Sequence, residues 1–266
     1  DPIANPEIVE ILDYAVTHLN KDAYIIVNTN GGLGSTKQWK AIGNILKNNN
    51  KYQIFFSVDG LEDTNHMYRR GVLWDRIDAN IRAYTSTGAK GMWDYLIFEY
   101  NKHQVDTARK IATEAGFTTF STVKTSRNFA APKTGQYIHS KKTRKYESAE
   151  RKIHCVWEDW GKWYVAPDGN VFRCCWTGGH YYDKVNTRFY YLNNFENTFN
   201  GFKVPIEKII EYNYWNKLSK FLNGYERSFS LCKSQCGKII SSIEKTEENL
   251  YTGQKMQVDA SNQWGN

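Results

Sequence analysis

The alternation of short β-branched or aromatic runs with amphipathic helical stretches, sustained over the first 125 residues, limits this chain to few architectures. Asn5-Pro6 supplies a capping side chain and a proline at the first helical position. Ile8, Val9, Ile11, Leu12, Ala15, Val16 and Leu19 follow at helical spacing. Tyr24 to Val27 is an apolar run without polar interruption, the pattern of a strand buried on both faces of a parallel sheet. Ser35-Thr36-Lys37-Gln38 has the form of a capping box, and Trp39, Ile42 and Leu46 form the stripe of the helix it opens. The unit then recurs as strand 52–58, helix 73–84, strand 93–98, helix 105–115 closed by Gly116, and strand 117–123. Repeated strand-helix units imply parallel strands joined by right-handed crossovers. Folds of that class place their ligands in the loops that follow the strands.

The rhythm stops near residue 125. Between Lys124 and Lys152 nine Lys/Arg stand against two Glu, which accounts for the whole net charge of +7. Residues 126–152 therefore read as a solvated basic linker, with an anion-binding strip as the sharper alternative. Beyond it, Trp163-Tyr164-Val165 and Val171-Phe172 flank Pro167-Asp168-Gly169-Asn170, a hairpin signature. A helix is expected from Pro205 to about Leu222, and residues 246–266 read as a polar tail. The expected division is an α/β domain over 1–125, the linker, a second domain over 153–245, and the tail.

An apolar content of 41%, with 15% aromatic residues, is that of a folded protein. No uninterrupted apolar run approaches the ~20 residues of a bilayer-spanning helix, so a soluble, cytoplasmic protein without membrane contact is expected. The first residue is Asp1, which suggests that an upstream portion is missing. No Ser-His-Asp arrangement or phosphate-cradling glycine loop stands out.

Five cysteines are too few for a disulfide scaffold at this length. Eighteen residues separate Cys155 from Cys174, with the Asp168-Gly169 turn between them, and Cys232-x3-Cys236 follows after a long gap. A hairpin brings its ends together, so Cys155, Cys174, Cys232 and Cys236 can converge on one centre. Four thiolates suit zinc or an iron-sulfur cluster equally. Cys175 is the alternative to Cys174, because neighbours in a strand point to opposite faces.

The block Cys155…Tyr164-Val165…Asp168-Gly169-Asn170-Val171-Phe172-Arg173-Cys174-Cys175, then Cys232-x3-Cys236-Gly237, resembles the auxiliary-cluster extension of radical S-adenosylmethionine enzymes, the SPASM or shorter twitch domain. The full SPASM pattern has seven cysteines; five here, without an internal Cys-x2-Cys-x5-Cys run, resemble the one-cluster form. In the first half, Thr29-Asn30-Gly31 resembles the family's third barrel strand ending, and Phe56-Ser57-Val58-Asp59-Gly60-Leu61 its Ser-x-Asp-Gly ending. Asn65-His66-Met67-Tyr68-Arg69-Arg70-Gly71 resembles the segment after it. Asp1-Pro2 is similar to the end of a Gly-Gly-Glu-Pro-like turn that holds the cofactor's amino group.

The resemblance implies a partial (β/α) TIM-like barrel followed by a small cysteine-ligated α+β domain. It implies one auxiliary 4Fe-4S cluster, with S-adenosylmethionine and a second 4Fe-4S cluster in the full-length parent. Thr29, Asn30, Ser57, Asp59, Arg70 and Asn101 are the implied cofactor contacts. The plainer readings are turn residues for Ser57 and Asp59, a surface ion pair for Arg70 and a helix cap for Asn101. The implied reaction is reductive cleavage of the cofactor to a 5′-deoxyadenosyl radical that abstracts hydrogen from a peptide or small-molecule substrate. Flavodoxin or ferredoxin would donate the electron. The Cys-x3-Cys-x2-Cys motif of the radical-generating cluster does not occur in these 266 residues, so the chain alone is expected to be inactive. The competing class is a non-catalytic zinc-binding or nucleic-acid-binding protein with a structural site of four cysteines. Nucleic acid is disfavoured because most of the tryptophans lie beside the cysteines or on helix faces.

Overall fold

The computed structural model describes residues 1–125, 129–130, 137–138, 161–182, 198–211 and 244–259. The chain divides into two compact units, one drawing on residues 1–144 and 242–264, the other on 145–241.

The first unit is mixed α/β. A short 3-10 turn, Pro2–Ala4, precedes α1 (Ile8–His18). Asn5 takes the Glu7 N–H on its side chain at 2.9 Å, so the helix starts two residues later than Pro6 suggests. β1 (Ile25–Thr29) leads to α2 (Thr36–Leu46), whose expected cap is present: Ser35 Oγ accepts from the Gln38 N–H at 3.2 Å. β2 (Tyr52–Ser57), the single turn α3 (Asn65–Tyr68), α4 (Trp74–Thr85), β3 (Gly91–Ile97), α5 (Val105–Glu114) and β4 (Thr119–Lys124) follow.

β1 to β4 are parallel neighbours in chain order. Right-handed crossovers that always advance in one direction put every helix on one face of the sheet, whereas a doubly wound sheet reverses direction and covers both. The side chains agree. Val27, Ile54, Phe56, Trp93, Tyr95 and Phe120 share one core with Trp39, Ile42, Leu46, Ile77, Ile81, Tyr84, Ala108 and Ala112 from the helices. Phe56 is its hub, with ring centroids 5.1 Å from Trp39, 5.7 Å from Tyr84 and 5.5 Å from Phe117. The alternate residues, Asn28, Phe55, Ser57, Asp94, Leu96, Ser121 and Val123, lie on the opposite face. Asn28 is exposed, so β1 is not covered on both sides as its apolar run suggests.

The sheet ends in a way the sequence does not announce. β9 (Glu244–Asn249) and β10 (Lys255–Asp259) form an antiparallel hairpin that pairs β9 with β4. Residues 246–259 are therefore strand and turn rather than loose tail. Their charges conceal this, because they are neutralised by pairing: Lys245, buried, lies 2.6 Å from Glu247, and Glu248 lies 2.8 Å from Arg109 of α5. Of the basic linker, only the two-residue pair β5 (Phe129–Ala130) and β6 (Tyr137–Ile138) is described.

In the second unit the expected hairpin is present, with Tyr164 opposite Phe172 and Val165 opposite Val171 in β7 (Tyr164–Val165) and β8 (Val171–Phe172). Gly169 turns it at φ 83°, and an added Cβ would lie 2.5 Å from the Phe202 ring. Asn200 locks the turn, donating to Asp168 O at 2.9 Å and Asn170 Oδ1 at 3.1 Å. Ala166, Val171, Phe172, Phe199 and Ile209 form the core. Two helices are described, α6 (Cys175–Tyr182) and α7 (Ile206–Glu211). The rest of the helix expected to Leu222 lies outside the described residues.

Candidate functional site

The nominated residues of the first unit lie at the C-terminal ends of the parallel strands, but in three separate settings. At the end of β1, the Asp1 carboxylate accepts the Thr29 hydroxyl at 2.9 Å and the Asn30 N–H at 3.0 Å. Thr29 Oγ1 in turn accepts the Gly31 N–H at 3.0 Å, and Asn30 Oδ1 the Gly32 N–H at 2.9 Å. Asn80 of α4 reaches across to Gly31 O and Leu33 O at 2.9 and 3.1 Å. The side chains of Thr29 and Asn30 thus hold the turn itself.

After β2, Asp59 and Asn101 converge. Asp59 is fully buried: Oδ1 accepts the Leu96 N–H at 2.7 Å and Oδ2 the Arg69 Nε–H at 2.6 Å. Its own N–H goes to Asn65 Oδ1 at 2.9 Å. Asn101, also buried, donates to Asp59 O at 2.8 Å and Leu96 O at 2.9 Å, and accepts from the Phe98 N–H at 2.7 Å. Desolvation raises the Asp59 carboxyl to about 6, against the opposing pull of the Arg69 charge. Both its oxygens are hydrogen-bonded within the fold. The arginine that pairs with Asp59 is Arg69; Arg70, nominated from the sequence as a cofactor contact, is the exposed residue that follows it. Arg69 is the C-cap residue of the short α3 turn.

Ser57 is in a third setting. It is half-buried and makes no side-chain hydrogen bond among the described residues. Register sets it opposite Asp94, Asp94 opposite Ser121 and Ser121 opposite Glu247, a polar row across four strands on the face away from the helices. Ser121 Oγ donates to Asp94 Oδ1 at 2.8 Å, which leaves the second carboxylate oxygen without a hydrogen bond among the described residues. Sequence reading missed Asp94, Ser121 and Glu247. The available signal was a charged residue between Trp93 and Tyr95 in an otherwise apolar strand. The row offers a hydroxyl and a carboxylate oxygen to a ligand, donors and acceptors of the kind a cofactor's ammonium or hydroxyl groups require.

Of the cysteines, Cys174 and Cys175 are described, and both are free thiols of intermediate exposure; Cys155, Cys232 and Cys236 lie outside the described residues. No group of three metal-ligating side chains occurs among the described residues. The expectation that strand alternation separates Cys174 from Cys175 does not hold, because β8 ends at Phe172 and Cys175 is the first residue of α6. Cys174 precedes the helix, with Thr177 Oγ1 3.7 Å from its sulfur. Burial and the neighbouring Cys174 push the Cys175 thiol up. An accessible thiol facing a hydroxyl suits a metal-bound thiolate, which accepts hydrogen bonds.

No protein-family model matches the chain, and no curated protein matches it. Solved structures that resemble it include three of SuiB from Streptococcus suis. With SuiB bound to S-adenosylmethionine the TM-score is 0.38 at 18% identity, over 46% of this chain and 27% of that one. With SuiB alone it is 0.47 at 13% identity, over 87% and 65%. With SuiB bound to precursor peptide SuiA it is 0.46 at 14% identity, over 88% and 63%. The chain therefore spans less than two thirds of each SuiB chain, and likeness at this level assigns no ligand or residue role here. Among the described residues, no helix is long and apolar enough to cross a membrane.

Proposed function

We propose that this chain is part of a radical S-adenosylmethionine protein. Residues 1–125 would supply a partial (β/α) barrel and residues 153–245 a SPASM/twitch-type unit. The observation that carries the reading is the polar row Ser57, Asp94, Ser121 on the face of the parallel sheet opposite α2, α4 and α5. A parallel sheet with helices on one face and a polar row on the other is compatible with a partial barrel, a fold whose ligands bind at the C-terminal ends of the strands, where Ser57 closes β2. Ser57 belongs to the Ser-x-Asp-Gly segment and is the member of that segment whose side chain remains available.

In this reading Ser57 and Asp94 bind S-adenosylmethionine, while Asp59, Arg69 and Asn101 keep the loop beneath it rigid. Asp1, Thr29 and Asn30 fix the neighbouring turn. Cys155, Cys174, Cys232 and Cys236 would hold the auxiliary 4Fe-4S cluster. When bound beside a reduced cluster, the cofactor supplies hydrogen-abstracting chemistry, directed here at a peptide or small-molecule substrate. Ser57 and Asp94 would orient the bound molecule through hydrogen bonds, and the buried loop would limit its movement.

Anaerobic reconstitution with iron and sulfide tests the proposal. The expected result is a brown protein with on the order of four iron and four sulfide per chain. Stoichiometric zinc uptake with no chromophore would instead support a structural zinc protein held by the same four cysteines.

A further inference from the structure

β10 is the last strand of its sheet: β9 lies along one of its edges, and no strand lies along the other among the described residues. The ladder fixes which backbone groups face that open edge. Asn249 N–H donates to Gln254 O at 3.0 Å and Leu250 N–H to Thr118 O at 3.1 Å, so the odd positions of β9 face β10 and the even ones face β4. With Glu247 opposite Met256 and Lys245 opposite Val258, it is Met256 and Val258 that direct their N–H and C=O groups to β9. The backbone groups of Lys255, Gln257 and Asp259 point to the open edge, which is a template for another strand. Side chains do not close it: Gln257 is exposed and Met256 is 55% exposed. Lys255, 58% exposed, lies 3.7 Å from a Glu248 carboxylate that Arg109 already holds at 2.8 Å.

The order of residues along this strand is its own complement. When two β10 strands run antiparallel and are centred on Gln257, Lys255 stands opposite Asp259 of the second copy, Met256 opposite Val258, and Gln257 opposite Gln257. Every outward-facing position then meets an outward-facing one, and each such pair exchanges two backbone hydrogen bonds. Two opposite-charge pairs and two apolar pairs flank the central amides, which are the cross-strand neighbours that stabilise a sheet. A slip by one residue turns inward-facing groups to the partner, and a slip by two breaks both charge pairs. An unrelated peptide needs no such symmetry, so the strand itself specifies its occupant. We propose that two copies of this chain associate edge to edge through β10, about a two-fold axis at Gln257 that joins two six-stranded sheets into one. The inference rests on the register of the β9–β10 hairpin alone and is independent of the cofactor reading. Pairing one short strand covers less than the roughly 1,200 Å² of a stable interface, so the dimer is weak, with a Kd on the order of tens of micromolar.

The test is sedimentation velocity on the whole chain from low to several hundred micromolar, for wild type, K255E, D259K, the double variant K255E/D259K and Q257P. Thermal melts at the lowest concentration accompany it. Wild type is expected to pass from monomer to dimer as concentration rises. K255E and D259K each set like charges opposite one another and are expected to weaken the dimer about tenfold or more. The double variant restores both pairs with their signs exchanged and is expected to return to within about threefold of wild type. Q257P removes an N–H that faces the open edge, so it is expected to stay monomeric with its β9 ladder and melt retained. Where Q257P lowers the melt, the rescue by the double variant carries the test. Wild type that remains monomeric at every concentration overturns the proposal. A dimer that none of the variants weakens, or a double variant no tighter than the single ones, overturns it as well.

Discussion

The same strands present different chemistry on their two faces. Toward the helices, Phe56, Trp93, Tyr95 and Phe120 are fully buried and interlock with Trp39, Tyr84 and Phe117. One residue further along, on the other face, Ser57, Asp94 and Ser121 form a polar row in which one hydroxyl and one carboxylate oxygen are not used by the described protein. Asp59 stands two residues beyond Ser57 and is fully consumed by the fold. A short segment such as Ser57-Val58-Asp59 thus divides its work. The aspartate builds the loop, and the serine side chain takes no hydrogen bond among the described residues.

Substitutions on each side should separate the two kinds of work. The largest loss is expected for Phe56→Ala, about 3–5 kcal/mol in urea unfolding, since it empties the hub of the aromatic core. Asp59→Ala should cost about 3 kcal/mol, because it leaves the Arg69 charge and the part-buried Leu96 N–H without their partner. The same carboxyl gives a pH signature with a definite sign. Its folded pKa of about 6 lies above the ordinary 3.8, so the native state binds the proton more tightly than the unfolded chain. Its contribution to stability is then greatest below about pH 4 and declines as pH rises to about 6, by at most about 3 kcal/mol. Denaturation midpoints measured across that window should show the decline in wild type and lose it in Asp59→Asn.

Ser35→Ala, which removes the α2 cap, should cost about 1 kcal/mol on the helix side. Ser57→Ala should change stability by no more than about 0.5 kcal/mol. A Ser57 variant that unfolds as readily as the Asp59 variants would erase the distinction between the two faces.

Much of the first unit was legible because its signals are local. The Ser35 cap, the stripe of Trp39, Ile42 and Leu46, and the apolar runs of β2 and β3 are written within single elements. What escaped depends on distant pairing. The β9–β10 hairpin has a charged sequence whose strand character arises from its ladder with β4 and from the Lys245–Glu247 and Arg109–Glu248 pairs. The polar row needs the register of four strands, which no single strand encodes. The Arg69–Asp59 pair depends on the α3 turn, which sets Arg69 at the helix end beside the buried carboxylate. In the second unit the Asp168-Gly169 hairpin was legible from its turn residues, but the helix beginning at Cys175 was not, because Cys174-Cys175 carries no capping signature of the usual kind.

Equilibrium titration of S-adenosylmethionine onto the chain, comparing wild type with Ser57→Ala and Ser35→Ala, tests most directly whether the face that carries Ser57 and Asp94 is the ligand face. The expected result is saturable binding by wild type, about fivefold weaker binding by Ser57→Ala at unchanged stability, and unaltered binding by the less stable Ser35→Ala. No binding by wild type, or equal binding by wild type and Ser57→Ala, would contradict the account.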